Sequence, residues 1–396
     1  MNISQKMMQL GQKRSCIREI FEYSKKRKAE VGAEKVFDFS IGNPSVPAPK
    51  ELTIAMERLL KERDPVELHG YTSAQGDPWV RQRIAEDLNR RYGADADPNL
   101  IYMTCGAAAS LTISLHAIME PEDEVIAFAP FFPEYRVFAE KAGAKFRVIS
   151  GKEPDFQPDL AALEQVINKK TKAIIINSPN NPSGAIISPK NLAALGALLK
   201  KKSEEQGSPI YLISDEPYRE LNWTDEKVPY IGNFYDNTLV CYSFSKAVSL
   251  PGERIGYILV SPKAQEAEAL YTAVCGAGRA LGFVCAPSLL QYAVGECVDA
   301  VSDFSVYRKN RALLLRELSR IGYEVIPPDG AFYLFMKAPE PDANAFCERA
   351  KGHELLLVPG DDFGCSGYVR IAYCVSTEQI LNSIPAFEQL YKEYKD

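Results

Sequence analysis

The chain has 396 residues, 46% of them hydrophobic, and a formal net charge of −6. This length and composition predict a globular protein with a large core, or with two cores that share an interface. The acidic balance supplies no overall basic field for nucleic acid or an anionic membrane, so small molecules are the expected partners.

Cysteine usage and the N-terminal segment favour a cytoplasmic protein. The nine cysteines stand singly, without the paired spacing of a zinc site or a redox motif, so reduced thiols are expected. The first residues, MNISQKMMQLGQKRSC, lack the apolar region of a signal peptide, and no stretch has the roughly 18 apolar residues of a membrane span. The three histidines have no second ligand at metal spacing and no GxSxG motif occurs, which argues against metal catalysis and a serine triad.

The first predicted element is an amphipathic helix over residues 15–30, SCIREIFEYSKKRKAE. Ile17, Ile20 and Phe21 share one helical face, and charged residues occupy the other. Glutamates interspersed around the basic run KKRK indicate a solvated face rather than a nucleic-acid patch.

From about residue 100 the pattern becomes an alternation of short apolar runs and longer helical segments such as AASLTISLHAIM and PKNLAALGALLKKKSEE. This alternation predicts an α/β fold with a parallel sheet covered by helices on both faces. Ligands of such sheets bind at the carboxyl ends of the strands. The predicted strands are IYMT, EVIAFA, KFRVI, KAIIINS, IYLISD, TLVCYS and RIGYILV.

The C-terminal part predicts a smaller α+β domain. After about residue 286, two helical segments, PSLLQYAVGECVDAVSDF and YRKNRALLLREL, precede short strands in YEVIP, AFYLFMK and GYVRIAYCV. No flexible linker separates the two parts, which predicts that they pack closely. The predicted division is a large domain over residues 48–285 and a small domain over residues 1–47 and 286–396.

Polar groups collect where the predicted strands end. TCGAAAS at 104–110 follows a strand and opens a helix, so its small residues would let an anion approach free backbone N–H groups at the helix N-terminus. INSPNNPSGA at 176–185 carries a strand into a turn rich in Asn, Pro and Gly, a pattern equally typical of ordinary turn chemistry. ISDEPY at 213–218 ends an apolar strand with Asp215 and places Tyr218 three residues later.

Lys246 lies at the end of the next apolar strand, in YSFSKAVSLPGERIGYIL, with Ser243 before it and Arg254 eight positions after it. A lysine is seldom buried without a partner or a chemical role, because its charge must be paired or given up. A lysine that can form a Schiff base, an aspartate that can keep a ring nitrogen protonated, and an anion cradle with an arginine are the parts that pyridoxal phosphate requires.

The chain resembles the class I/II aminotransferases of the fold-type I pyridoxal-phosphate-dependent family along almost its whole length. SFSKAVSLPGERIGY is similar to the family's highly specific cofactor-lysine motif, and GYTSAQG, SPNNPSG, SDEPY and YVRIAY match further motifs in the expected order. The resemblance implies a large domain with a mostly parallel sheet flanked by helices and a smaller α+β domain. It also implies transfer of an amino group from an L-amino acid to a 2-oxo acid by a ping-pong mechanism.

The resemblance assigns roles around the cofactor ring. It implies that Lys246 forms the Schiff base and shuttles the proton, for which its amine must spend time neutral. Asp215 would keep the pyridinium nitrogen protonated, and Asn181 and Tyr218 would hydrogen-bond the phenolic oxygen. Phe132, in APFFPEY, would stack on the ring face, where many relatives carry Tyr or Trp; a phenylalanine stacks there without offering a hydrogen bond.

The resemblance also implies how the phosphate is held. The planar fork of an arginine suits a dianion. Tyr71, in HGYTSAQGD, resembles a tyrosine that reaches the phosphate of the neighbouring subunit, which implies a homodimer with shared active sites. The other implied phosphate ligands are Gly106, Ala107, Ala108, Ser243 and Arg254.

Four residues are implied for the substrate. Arg370, in YVRIAY, would bind the α-carboxylate as a bidentate pair. Gly42, in SIGNP, matches a position where the backbone approaches the substrate, and Asn181 lies beside it in the family site. Arg279, in CGAGRALGF, lies where relatives that prefer dicarboxylates place a second arginine from the partner subunit. The local pattern differs from those relatives, so an ordinary helix-end or surface arginine is the alternative.

Two other activities stay open at this stage. The same cofactor site can direct electrons to β-elimination, as in a related lyase that releases ammonia and pyruvate without an acceptor. A non-catalytic regulator that senses the cofactor is the second alternative. Such regulators usually carry an added DNA-binding domain, and intact Lys246, Asp215 and Arg370 favour catalysis.

Overall fold

The fold is built around a seven-stranded sheet, seen in a computed structural model that describes residues 3–12 and 16–395. The helices within these residues are α1 (Gln5–Gln12), α2 (Cys16–Val31), α3 (Lys50–Glu62), α4 (Pro65–His69), α5 (Pro78–Tyr92), α6 (Ala107–Ile118), α7 (Glu134–Lys141), α8 (Leu160–Val166), α9 (Pro189–Gln206), α10 (Phe244–Ala247), α11 (Ala267–Ala280), α12 (Ser288–Glu296), α13 (Ser305–Ile321), α14 (Ala343–Gly352) and α15 (Thr377–Lys392). The strands are β1 (Phe37–Asp38), β2 (Ile101–Thr104), β3 (Glu124–Ala129), β4 (Lys145–Ser150), β5 (Thr171–Asn177), β6 (Tyr211–Asp215), β7 (Thr238–Ser243), β8 (Gly256–Val260), β9 (Val325–Ile326), β10 (Tyr333–Lys337), β11 (Leu355–Leu356), β12 (Val358–Pro359) and β13 (Tyr368–Ala372).

The large sheet has the strand order β2-β8-β7-β6-β5-β3-β4. Neighbouring strands from β7 to β4 are parallel, whereas β8 runs antiparallel to both β2 and β7. The mostly parallel sheet is therefore confirmed, and β8 is the one strand that differs in direction from its neighbours. The connection between Ser243 and Gly256 explains the difference, because it contains one turn of helix, α10, rather than the long crossover that joins parallel strands.

Helices cover both faces of this sheet, because successive residues of a strand point to opposite sides. On β5, Ala173 and Ile175 belong to one core cluster with Leu111 of α6. Ile174, between them, belongs to another cluster with Leu195 of α9. None of these residues is more than 1% exposed. The apolar run KAIIINS is thus a central strand buried on both faces, as predicted.

A four-stranded antiparallel sheet, β12-β13-β10-β9, lies in the C-terminal part of the chain. Val369 of β13 and Phe332, the residue just before β10, belong to one core cluster. Leu314 of α13 and Phe387 of α15 belong to the same cluster. All three predicted strands are shorter than expected, since β9 covers two residues of YEVIP, β10 begins at Tyr333 and β13 ends at Ala372. The strand β13 carries Arg370 in its centre.

The predicted helix over PSLLQYAVGECVDAVSDF ends early, so the prediction of one continuous helix was wrong. α12 stops at Glu296. Farther on, Ser302 donates its N–H to the carbonyl of Ala247 at 2.8 Å and its hydroxyl to Ser249 at 3.0 Å. These tertiary hydrogen bonds satisfy groups that a helix would have to pair internally. α12 itself packs against α3 and α5, and its Leu290 lies in the core cluster beside the large sheet.

The amphipathic helix near the N-terminus runs from Cys16 to Val31 in the described residues, and Ser15, which the prediction included, lies outside them. Ile20 is buried in a small cluster with Val36, while most other positions of the helix are exposed or half-buried. In the part of the chain that the structure describes, no helix is long and apolar enough to cross a membrane.

Candidate active site

The predicted site residues converge at the carboxyl ends of three adjacent parallel strands. Asn177 ends β5, Asp215 ends β6 and Ser243 ends β7, and these three side chains line one cavity of about 270 Å³. Parallel strands present their carboxyl ends at the same edge of a sheet, which is where α/β proteins bind ligands. Lys246 and Arg370 also line this cavity.

Lys246 reaches the cavity because α10 begins immediately after β7. Its Nζ donates a hydrogen bond to the carbonyl of Gly42 at 2.6 Å. Burial lowers the pKa of Lys246 to about 8, and the positive charges of Arg254 and Arg370 act in the same direction. The neutral amine that proton transfer requires is therefore far more accessible near neutral pH than it is in an exposed lysine.

Asp215 is a buried carboxylate with one free oxygen. Its Oδ2 accepts a hydrogen bond from the hydroxyl of Tyr135 at 2.5 Å, whereas its Oδ1 is buried and has no hydrogen-bond partner. Burial raises the pKa of Asp215 to about 7, and the hydrogen bond from Tyr135 acts against that increase. A buried oxygen without a partner is costly, so Oδ1 fits a ligand that brings a donor, such as a protonated ring nitrogen.

Asn181, Tyr218 and Phe132 complete the walls around that carboxylate. The Asn181 N–H donates to Asn177 Oδ1 at 2.6 Å, which fixes the turn after β5. The Tyr218 hydroxyl lies 2.9 Å from the hydroxyl of Tyr333. Phe132 is half-buried and lines the cavity, so its aromatic ring is available to a ligand there.

An anion cradle forms at the start of α6. Gly106, the N-cap residue, has φ +86°, and a Cβ there would lie 2.7 Å from Arg254 Nη2, so the close approach requires glycine. Arg254 has φ 56° and donates from Nη1 to Ser245 Oγ at 3.2 Å, and Ser245 also accepts from Ser243 Oγ at 2.8 Å. Ala107 and Ala108 line the cavity with their small side chains. Free N–H groups, hydroxyls and a guanidinium together suit a phosphate dianion.

Arg370 closes the opposite side and is only 1% exposed. Its Nη1 donates to Asn181 Oδ1 at 2.9 Å and its Nη2 to the carbonyl of Ser40, while its Nε has no partner. The guanidinium lies 4.6 Å from the ring centroid of Tyr333. Gly42 lines the same region, and a Cβ on it would lie 1.9 Å from the Tyr333 hydroxyl, so the backbone can approach only without a side chain.

Two predicted residues lie away from the cavity of their own chain. Tyr71, between α4 and α5, is 97% exposed. Arg279 is exposed in the last turn of α11. Both had been expected to act on a neighbouring subunit, and that expectation stays a prediction.

Sequence reasoning missed four polar residues of the site. Asn177 lines the cavity and lies in the segment INSPNNPSGA, of which only Asn181 had been predicted. Ser245 contacts Arg254 and could have been found from its place between Ser243 and Lys246 in SFSK. Tyr135 is part of APFFPEY, which had been quoted only for its phenylalanine. Tyr333 had no local signal, because its segment AFYLFMK is an ordinary apolar strand pattern.

Comparison with known proteins identifies the family. Residues 34–387 match the family model for aminotransferase class I and II. The crystal structure of an amino transferase from Eubacterium rectale has 53% sequence identity and a TM-score of 0.98, with 100% of both chains covered.

Two named relatives agree with this result. An aspartate aminotransferase from Thermotoga maritima is 30% identical over 379 residues, covering 94% of this chain and 96% of the relative. An aspartate aminotransferase from Pyrococcus horikoshii is 32% identical over 390 residues, covering 95% of this chain and 94% of the relative. The cavity with Lys246, Asp215, Arg254 and Arg370 thus lies in a chain that belongs to the class I and II aminotransferase family, a family of pyridoxal-phosphate-dependent enzymes.

Proposed function

We propose that the cavity beside Lys246 is the place where this aminotransferase binds pyridoxal phosphate and passes an amino group from an L-amino acid to a 2-oxo acid. The observation that carries the proposal is the arrangement of four charged groups around one cavity. Lys246 has a lowered pKa, Asp215 has a free oxygen, and two arginines, Arg254 and Arg370, lie at separate parts of the wall.

The residues present fit the cofactor. Arg254, Ser243, Ser245 and the start of α6 would hold the phosphate, and Asp215 Oδ1 would accept from the ring nitrogen. When bound, pyridoxal phosphate supplies an electron-withdrawing ring and carries the amino group between the two substrates. Asn181 and Tyr218 would donate to the phenolic oxygen, and Phe132 would cover one ring face.

The substrate end of the cavity follows from the same geometry. Arg370 would bind the α-carboxylate, for which its unpartnered Nε and its Nη groups offer donors in one plane. Lys246 Nζ, when neutral, would take the proton from the substrate Cα and donate it to a different carbon two bonds away, as a 1,3-proton shuttle. Gly42 lets the backbone approach this region without a side chain in the way.

The relatives favour aminotransfer over β-elimination, since the three compared above match along almost the whole chain and are named aminotransferases. The names of the Thermotoga and Pyrococcus relatives make aspartate the first amino donor to test. Arg279 of the partner subunit is the candidate for the second carboxylate. If Arg279→Ala leaves the preference for aspartate or glutamate over alanine and phenylalanine unchanged, that role of Arg279 is refuted.

The protein would act as a cytoplasmic homodimer with shared sites. Exposed apolar side chains on α3 and α4 support an interface there, since Ile54 is 63% exposed, Leu60 54% and Val66 81%. Tyr71 follows these helices and would cross to the phosphate of the partner's site.

The division into a large domain, 48–285, and a small domain, 1–47 with 286–396, remains part of the proposal. The packing of α12 against α3 and α5 supports a later second boundary, after Glu296. The large domain would then contain the whole core beside the large sheet.

The function is tested with the visible absorption of the purified protein and a panel of amino acids, with no acceptor present. Loss of the cofactor band together with one equivalent of 2-oxo acid per site is the expected result, and the amino acids that cause it are the donors. Continued release of ammonia and pyruvate would instead identify a lyase. An unchanged band with every amino acid would refute the proposed activity.

A further inference from the structure

Tyr135 is a buried tyrosine whose hydroxyl reaches the candidate site from the first turn of α7. It is 1% exposed, and its backbone N–H donates to the carbonyl of Phe132 at 3.0 Å. The two rings meet edge to face, with centroids 5.7 Å apart. A single turn of chain therefore holds the ring that lines the cavity and the hydroxyl that contacts Asp215.

The two carboxylate oxygens of Asp215 have different surroundings. Tyr135 donates to Oδ2, and Oδ1 is buried without a partner in a residue that lines the cavity. The main-chain carbonyl of Asp215 is held separately by Asn177 Nδ2 at 2.8 Å. With the main chain and one oxygen anchored, the direction of the other oxygen is determined.

We propose that Tyr135 is a positioning residue that acts through Asp215: it anchors Oδ2 so that Oδ1 stays free and aimed at the ring nitrogen of bound pyridoxal phosphate. This inference rests on the role proposed for Asp215. A hydroxyl can donate to an ionised carboxylate, and such a bond favours the charged form.

Asp215 needs that support because of its neighbours. Burial disfavours its charge, and the adjacent carboxylate of Glu216 acts in the same direction. The hydrogen bond from Tyr135 is the contribution that stabilises the anion in the absence of ligand. A protonated ring nitrogen would form an ion pair with Asp215 only while Asp215 is ionised. The hydrogen bond from Tyr135 would therefore serve twice, because it fixes the orientation of the carboxylate and stabilises its ionised form.

The test compares two ligands of full-length protein freed of cofactor: pyridoxal phosphate, and an analogue in which a C–H group replaces the ring nitrogen. In Tyr135→Phe, the Kd for pyridoxal phosphate should rise about tenfold, because a hydrogen bond to a charged group is lost. The Kd for the analogue should change less than about twofold, because it has no nitrogen to pair with Asp215.

Tyr323→Phe is the matched control. Tyr323 is 4% exposed, and its hydroxyl donates to the carbonyl of Phe387 at 3.0 Å in the smaller core. The Tyr323→Phe variant loses a buried tyrosine hydroxyl that does not contact Asp215. Its Kd values for pyridoxal phosphate and for the analogue should therefore both match those of the wild type. Thermal unfolding of the cofactor-free variants establishes that both are folded.

Three results separate the possible failures. An equal rise for both ligands in Tyr135→Phe would mean general damage to the cavity and would overturn the inference. An unchanged Kd for pyridoxal phosphate would overturn it as well, provided that Asp215→Ala weakens binding. If Asp215→Ala leaves the affinity unchanged too, the proposed role of Asp215 fails first.

Discussion

The Lys246 side chain combines burial with two nearby arginines, and this combination explains how a lysine can serve as a base. Removal from water disfavours the ammonium ion, and the charges of Arg254 and Arg370 disfavour it further. The hydrogen bond from Nζ to the Gly42 carbonyl keeps the amine directed into the cavity. An exposed lysine in a loop would have none of these properties.

Lys246→Ala should reduce transamination by at least about a thousandfold, because the variant lacks both the nucleophile and the proton carrier. Lys246→Arg is the matched variant, since it keeps a cation but no amine, and it should be equally inactive. Borohydride treatment followed by peptide mass analysis should find the cofactor attached to Lys246 in the wild type. Near-normal activity of either variant, or attachment at another lysine, would contradict the assignment.

The lowered pKa of Lys246 predicts a pH dependence of cofactor capture. The neutral amine is the reactive form, and its fraction grows as pH rises through about 8. Stopped-flow absorbance should therefore show that capture by the cofactor-free protein accelerates with a midpoint near pH 8 and levels off at higher pH.

Arg370→Gln provides the comparison for that profile. It removes a positive charge that disfavours the ammonium ion, so the midpoint should move to higher pH. An identical midpoint in wild type and variant would show that the arginine does not influence the amine.

At the scale of elements, the anion cradle depends on the way α6 starts. The chain leaves β2 and enters α6 through Gly106, which has a positive φ and no side chain. This leaves room for the guanidinium of Arg254, a residue in the segment that joins α10 to β8. Arg254 also has a positive φ, which is rare for an arginine and marks a backbone held in place by its surroundings. The cradle is thus made by two chain segments, the turn between β2 and α6 and the connection between β7 and β8, and not by one helix alone.

Gly106→Ala tests this dependence. The new Cβ would lie 2.7 Å from Arg254 Nη2, so the guanidinium must move and the Kd for pyridoxal phosphate should rise about tenfold or more. The backbone of Gly106, with φ 86° and ψ 173°, lies in a region essentially restricted to glycine, so the alanine should also lower the free energy of unfolding by about 1–3 kcal/mol. Equilibrium dialysis and urea unfolding measure the two effects separately.

Gly207→Ala separates the effect of backbone strain from the effect of a steric clash between the new Cβ and Arg254. Gly207 also has positive φ, +75°, at the end of α9, but nothing lies within 4 Å of a Cβ there. Gly207 is in the left-handed helical region, so its substitution should lower the free energy of unfolding by about 1 kcal/mol while the cofactor affinity stays unchanged. Equal affinity losses in the two variants would rule out the contact with Arg254 as the cause.

For the whole molecule, the exposed Tyr71 is the residue that the isolated chain explains least. The Tyr71 residue is 97% exposed, so its ring buries almost no apolar surface against its own chain. The proposed homodimer would bury it against the partner's phosphate site, so each cavity would be completed by both subunits.

Hybrid dimers test that arrangement. Lys246→Ala and Tyr71→Phe proteins are mixed, dissociated and reassociated, then assayed at a cofactor concentration that leaves the Tyr71→Phe homodimer largely empty. If Tyr71 acts across the interface, each hybrid has one intact site, and activity should return to about a quarter of the wild-type value, since half of the randomly formed dimers are hybrids. No gain over the unmixed proteins would place Tyr71 in its own subunit's site or outside any site.

The sequence by itself determined the family and the α/β alternation, and it predicted the charged residues that line the cavity. Lys246, Asp215 and Arg254 could be assigned because they stand in short motifs next to apolar strands, and local patterning shows where a strand ends. The same information predicted which edge of the sheet carries the site, because the carboxyl ends of parallel strands lie together.

The tertiary structure alone decided the contacts between distant segments. Tyr135 and Asp215 are 80 positions apart, and Asn181 and Arg370 are 189 apart, yet each pair shares a hydrogen bond. The antiparallel direction of β8 and the early end of α12 were also decided at this level. No periodicity encodes such features, because they depend on which buried polar group finds a partner once the layers have packed.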